Sequence, residues 1–243
     1  MLSPTTLFDA GVLRAVPEVA RLGDDAVTVL ARFAGLVLAA NARMNLTAIT
    51  EPERMAVAHF ADSLAALDAA PAELAVAGRA ADVGSGAGFP LVPLAVAVPE
   101  CAWTGIESVG KKAAFLAQAA SDLALGHVTA LALRAEEAGR DPVLRGAFDL
   151  VTARAVGPAA SLLEVGLPLL REGGLLLLWK TASDAGPLDA VAALLGGRME
   201  PPHAYRFAGD RQDRLILRIR KVAATPAAYP RRVGVPFKRP LLR

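Results

Sequence analysis

The hydrophobic positions of this chain change their period once. Over residues 1–70 they recur at helical spacing, with Val27, Leu30, Ala34 and Leu38 on one helix face and no convincing strand. Thr50 and Glu53 are spaced as a capping box, with Pro52 in the first turn. They predict a helix from near Glu51 to about Ala69, and Pro71 marks its boundary. From about residue 79 short apolar runs (RAADV, AWTGIE, VTALAL, FDLVTA, GLLLLW) alternate with helix-compatible stretches such as Lys111–Leu125 and PAASLLEVGLPLL. Short strands alternating with helices predict an α/β fold of right-handed βαβ units, its parallel sheet covered by helices on both faces. In RLILRIR, Leu215, Leu217 and Ile219 alternate with charges, the pattern of a late strand with one solvated side. The stretch TPAAYPRRVGVPFKRPLLR carries four prolines and reads as an ordered loop or tail. The expected division is a helical extension over 1–70, a sheet domain over 71–224 and a basic, Pro-rich tail over 225–243. No internal repeat interrupts it.

Composition narrows the class. A chain of 243 residues, 54% hydrophobic and 21% charged, is long enough to bury a full core, and is neither disordered, collagenous nor a coiled coil. Its single Cys excludes a disulfide framework or a multi-Cys zinc site and fits a reducing compartment. His127 and His203 have no metal-like spacing, so no metal is expected. The longest apolar stretch, GAGFPLVPLAVAVP, is short for a membrane span and holds three prolines. MLSPTTLFDAG lacks the pattern of a secretory signal, and a cytoplasmic location with no membrane partner is expected. No oligomeric interface is legible, and a monomer is expected. The net charge of +2 hides an asymmetry: residues 201–243 hold eleven Lys/Arg and two Asp, against fifteen basic and twenty-two acidic residues before them. A basic segment on an acidic body fits a polyanionic partner or a plain solvated tail.

The candidate chemistry begins at DVGSGAGFP, which follows a strand and precedes a helix, where nucleotide-type ligands sit in open α/β sheets. Gly84, Gly86 and Gly88 let the backbone approach a ligand. A dinucleotide fingerprint requires a third Gly at the position held by Phe89, which disfavours a nicotinamide dehydrogenase. Glu107 ends the second strand, where a carboxylate can accept from ribose hydroxyls. Arg134, Ala135 and Glu136 follow the third strand and Arg154 ends the fourth, at the edge where substrates enter. His59, Asp62 and Ser63 lie on one helix face, either as a polar patch over the pocket or as a buried network holding the helices to the sheet.

The G-x-G-x-G turn resembles motif I of S-adenosylmethionine-dependent methyltransferases. Together with NLTAITEPERMAVAHFADSL, ESVGKKAAFL, RAEE, FDLVTARAV, WK and YPRRVGVPFKRPLL, the chain resembles, over almost its whole length, the bacterial 16S ribosomal RNA guanine-N7 methyltransferases, the glucose-inhibited division protein B family. The resemblance implies a Rossmann-like methyltransferase sheet, S-adenosylmethionine as cofactor, and 16S rRNA or the small ribosomal subunit as partner. It places Gly84, Ser85, Gly86, Gly88 and Phe89 at the cofactor, Glu107 and Ser108 at the ribose, and Ala135 and Glu136 beside the adenine. Arg154 falls near the methyl-transfer centre, as a donor to guanine O6, to a phosphate or to the methionine carboxylate. Asn45, His59, Lys111, Lys112, Lys180, Arg231, Arg232, Lys238 and Arg239 are the candidate RNA contacts, with the tail gripping phosphates and its interleaved Tyr229 and Phe237 stacking on bases. Leu91, where many members have Gly, is expected to narrow the pocket mouth. Two alternatives remain compatible with the residues: a methyltransferase of another RNA, a protein or a small molecule, and a non-catalytic RNA-binding module. The N-terminal motifs and the basic tail argue against the first, and the intact GSGAGFP with Glu107 against the second.

Overall fold

The computed structural model describes residues 8–154, 157–181, 187–208 and 213–241. Seven strands form one sheet in the order β3-β2-β1-β4-β5-β7-β6. They are β1 (Arg79–Val83), β2 (Ala102–Glu107), β3 (Val128–Ala132), β4 (Phe148–Arg154), β5 (Leu170–Thr181), β6 (Gly197–Tyr205) and β7 (Arg214–Lys221). The first five pair in parallel, whereas β7 runs antiparallel to both β5 and β6. The order reverses at β1, so the crevice between the β1 and β4 ends is open to a ligand.

β6 goes beyond the sequence expectation. Its GRMEPPHAY holds two adjacent prolines and no alternation, and the pairing register shifts between Glu200 and His203, across those prolines. An edge strand tolerates this because a proline there removes no ladder bond from a neighbour.

Helix α1 (Asp24–Met44) carries the predicted apolar face: Val27, Leu30, Phe33, Ala34 and Val37 are buried. It is long and apolar enough to cross a membrane, yet that face is spent on the core, packed over α2 (Leu91–Ala97) and α3 (Gly110–Asp122). The segment after it departs from the single helix expected. The helix opens at Pro52, which puts Glu51 at the cap without a side-chain bond, so the Thr50–Glu53 box does not form. Proline suits this first position because its missing N–H has no helical partner to lose. A π-helical turn, Ala56–Ala61, then breaks the α period before Asp62–Leu64 and Ala66–Ala69.

One core cluster joins these helices to one sheet face through Phe33, Phe60, Phe89 and Trp103. A second lies under α4 (Ala159–Gly166) on the opposite face, with Tyr229 and Phe237 of the tail packed against it. Leu91 belongs to the first cluster and does not narrow a mouth: it is fully buried, and a Cβ on Gly105 of β2 would lie 2.8 Å from its Cδ2.

The tail is docked rather than free. Glu164 of α4 is fully buried, and Arg231 meets it with backbone N–H, Nε and Nη2 at 2.6–3.1 Å. Ser161 donates to the Pro236 carbonyl at 2.8 Å, and Arg145 to the carbonyls of Thr225 and Tyr229 at 2.7 and 2.9 Å. Breaking a buried ion pair from one side strands the other charge, at a cost of about 3–5 kcal/mol. Glu164→Gln is expected to lower the melting temperature by about 10 °C, at roughly 2–4 °C per kcal/mol for a chain of this size. A calorimetric melt checks this; an unchanged midpoint would show that the tail is held without the pair.

Candidate active site

The Gly-rich turn leaves β1 with three residues at positive φ: Gly84 (71°), Gly86 (54°) and Gly88 (98°). They serve different ends. A Cβ on Gly88 would come within 2.8 Å of the Phe33 ring and 2.9 Å of Leu116, so this glycine seats the turn under α1 and α3. A Cβ on Gly86 would meet only the Gly84 carbonyl, at 3.7 Å; conformation, not space, requires glycine there.

Glu107 ends β2 beside this turn. Its Oε2 accepts from Gly86 N–H at 2.9 Å and its Oε1 from Val109 N–H at 2.7 Å, which aims a buried carboxylate with spare lone pairs across the crevice. Asp82 lies beneath the turn. Its Oδ1 accepts from the Thr152 hydroxyl at 2.7 Å, while its Oδ2 is buried without a partner among the described residues. Burial raises its pKa to about 6, against the pull of the Thr152 and Ser85 hydroxyls.

The far wall comes from the N-terminal helices. Arg154, at the end of β4, donates from Nη1 to Asp62 Oδ2 at 2.6 Å and to the Ala58 carbonyl at 2.9 Å. Its Nη2 meets His59 Nδ1 at 3.1 Å. A guanidinium can only donate, so Nδ1 is the acceptor and the ring proton sits on Nε2, which donates to Thr47 Oγ1 at 2.7 Å. The His59 ring stacks on Phe89, with centroids 4.6 Å apart and planes 21° from parallel. Burial first, and then the Arg154 charge, lower its pKa from 6.5 to about 4, so His59 is neutral at pH 7. Asp62 is a hub. Its Oδ1 also accepts from Tyr205 Oη at 2.6 Å and Arg214 Nη1 at 3.0 Å, and its backbone carbonyl from Trp179 Nε1 at 2.7 Å.

These groups frame a cleft of about 360 Å³, which opens past Gly84 and Ser108 into a smaller lobe of about 80 Å³. Of the residues expected here, Gly84, Ser85, Gly86, Phe89, Glu107, Ser108, Arg154, His59 and Lys112 line the cleft. Ala135 and Glu136 line the lobe. Gly88 is turned into the helices. Asn45 takes the left-handed C-cap of α1 (φ 50°), and the next two residues, Leu46 and Thr47, reach the cleft in its place. Lys111 is exposed beside the cleft, and Lys180 donates to the Gly157 carbonyl. Arg231 is turned inward to Glu164, whereas Arg232, Lys238 and Arg239 are exposed. Thr47 and Asp82 are additions that the sequence reading missed; Asp82 had a signal in its place directly before the Gly-rich turn, and Thr47 had none. Phe237, an aromatic of the tail expected to stack on bases, lines the smaller lobe. No His, Cys, Asp and Glu cluster suited to a metal occurs among the described residues.

Among solved structures, the fold is similar to the StiE O-MT segment, residues 961–1257 (TM-score 0.55, 16% identity, 77% of this chain and 82% of that one). It is also similar to a mutant of the 16S rRNA (adenine(1408)-N(1))-methyltransferase from Catenulisporales acidiphilia (TM-score 0.50, 17% identity, 63% and 90%). The fold is that of a Rossmann-like methyltransferase. Within that class, residues 27–194 match the family model of the rRNA small subunit methyltransferase G, GidB. The ribosomal RNA small subunit methyltransferase G of Roseiflexus castenholzii is 45% identical over 226 residues, 91% of this chain and 94% of its own. That of Deinococcus radiodurans is 40% identical over 216 residues, 87% and 84%. The chain belongs to the rRNA small subunit methyltransferase G family.

The two shifted groups predict opposite pH dependences. An imidazole whose folded pKa is lowered destabilises the fold as pH drops from 6.5 to 4, because the unfolded chain then binds the extra proton. The stability difference between wild type and His59→Gln is expected to grow by about 3 kcal/mol from pH 4 to 7. For Asp82→Asn the corresponding difference is expected to shrink by about 2 kcal/mol between pH 4 and 6, since the folded carboxyl holds its proton longer. Urea unfolding at pH 4.5, 5.5, 6.5 and 7.5 checks both signs, and parallel curves would remove His59 and Asp82 from the pH response.

Proposed function

We propose that this protein transfers the methyl group of S-adenosylmethionine to N7 of a guanine in the decoding-region loop of 16S rRNA, acting as a monomer in the cytoplasm. Family membership over about nine-tenths of the chain supports the cofactor, the reaction and a small-subunit rRNA substrate. The residues fit the cofactor. The Gly84–Gly86 turn offers close backbone approach, Glu107 offers carboxylate lone pairs to a ribose diol, and the smaller lobe offers an apolar slot to a flat base. When bound, S-adenosylmethionine supplies an electrophilic methyl on a sulfonium.

The observation that favours N7 is the state of the two bases on the wall built by the N-terminal helices. His59 has both ring nitrogens engaged, Nδ1 by Arg154 and Nε2 by Thr47. Asp62 is committed to Arg154, Tyr205 and Arg214. Neither is free to take a proton. N7 of guanine has a lone pair and no proton to lose, so the transfer needs positioning and no general base. Methylation adds positive charge to the ring, which further cations would oppose; the neutral imidazole adds none, and Asp62 offsets one of the two guanidinium charges it binds. Arg154 then serves as a fixed hydrogen-bond donor at the substrate side. Lys112 at the cleft and the exposed Arg232, Lys238 and Arg239 are the candidate phosphate contacts.

The test is methyl transfer from radiolabelled S-adenosylmethionine to small subunits lacking base methylation, with naked 16S rRNA and tRNA alongside, followed by chemical cleavage at 7-methylguanine. One labelled, cleavable guanine in 16S rRNA is expected. Label that resists this cleavage, or that appears only in tRNA, would overturn the proposal.

A further inference from the structure

The smaller lobe has one wall that the methyltransferase sheet does not supply. Val83, Gly84, Ile106, Leu133 and Ala135 line it from the ends of β1, β2 and β3, and Phe237 closes it from the far end of the chain. The Phe237 ring also packs on the backbone that follows β4: a Cβ on Gly157 would lie 3.2 Å from its Cδ1.

The segment that brings Phe237 there is tied down on both sides of the lobe. Gly234, at positive φ (79°), turns the chain and donates its N–H to Glu136 Oε1 at 2.8 Å. Ser161 holds the Pro236 carbonyl, one residue before the ring, at 2.8 Å. Arg231 is anchored on Glu164, and a Cβ on Gly139 would come within 2.9 Å of the Pro230 ring, so the segment is packed upstream as well. Glu136 thus has a different task from the one its position suggests: one of its oxygens is committed to the tail that walls the lobe.

The chemistry of the two compartments differs. The cleft presents Gly86, Glu107, His59 and Arg154, suited to charged and hydroxylic groups. The lobe is mainly apolar through Val83, Ile106, Leu133 and Phe237 and carries Ser108, Arg134 and Glu136 as its polar groups, suited to a flat ring with polar edges. We propose that Phe237 is a cofactor-binding residue: the C-terminal segment supplies the aromatic wall against the adenine ring of S-adenosylmethionine, and the cofactor site is incomplete until that segment docks. This rests on the reading that the protein uses S-adenosylmethionine.

The test is calorimetric titration of the full chain with S-adenosylhomocysteine and, separately, with adenosine. Phe237→Ala is expected to weaken both ligands by the same factor, about tenfold or more, since the lost contact is to the base that they share. Phe237→Tyr is expected to stay within about threefold of wild type, because it keeps the ring. A role confined to folding would lower the melting temperature without this ring-dependent rescue. Phe237→Trp gives a readout independent of affinity: its indole emission is expected to change on adding S-adenosylhomocysteine, whereas wild type, with Trp103 and Trp179 buried in the core, serves as the baseline. Unchanged affinity in Phe237→Ala, or a Phe237→Trp emission blind to the ligand, overturns the proposal. Failure of wild type itself to bind S-adenosylhomocysteine would instead overturn the cofactor reading on which the proposal rests.

Discussion

The structure turns on one buried carboxylate. Asp62 sits where the helical extension, the end of β4 and the β6–β7 edge converge, and it accepts hydrogen bonds from Arg154, Tyr205 and Arg214. A carboxylate taken out of water is costly unless its lone pairs are filled, and a guanidinium in the same place is costly unless it is paired. Each group therefore needs the others, and the helices cannot shift without exposing that cost. His59 and Asp62, three residues apart, share the helix face toward Arg154, and the stacking of His59 on Phe89 extends the constraint to the Gly-rich turn. Packing of the extension on the sheet and the shape of the cleft are one problem with one solution.

On the other sheet face the same logic appears with different residues. Glu164 is fully buried and satisfied by a basic residue from the end of the chain. The pairing turns part of a segment rich in positive charge into a structural clamp, while Arg232, Lys238 and Arg239 stay outward. A tail that is both anchored and basic can present cations at a fixed distance from the cleft, which costs less ordering entropy on binding than a free tail would. Charge counting alone treats all of these cations alike; burial separates them.

Much of the fold was legible in the residue pattern. β1, β2, β4 and β5 read clearly because strands buried on both faces appear as short apolar runs between turn residues, and β3, at the sheet edge and largely unburied, read as a strand from the apolar run VTALAL alone. The Gly-rich turn and Glu107 were legible because both sit at fixed offsets from strand ends, where chain direction alone determines which residues face the crevice. β6 was not, since its prolines are tolerated by an edge that only the assembled sheet defines. The helix over 51–69 was right in extent and wrong in regularity, since no local pattern in its residues marks the π turn.

The sequence by itself determined the alternation of elements, the family and the backbone of the cofactor turn, all of which depend on local spacing. The tertiary structure alone decided which polar groups are active and which are structural. Asp62 meets partners 92, 143 and 152 positions away, and Arg231 meets Glu164 across 67. Phe237 reaches the lobe only because the tail docks on Glu164, Ser161 and Glu136. Spacing says what a residue can do, but burial and the identity of its distant partners set its charge, its tautomer and its exposure, and those exist only once the chain has closed on itself.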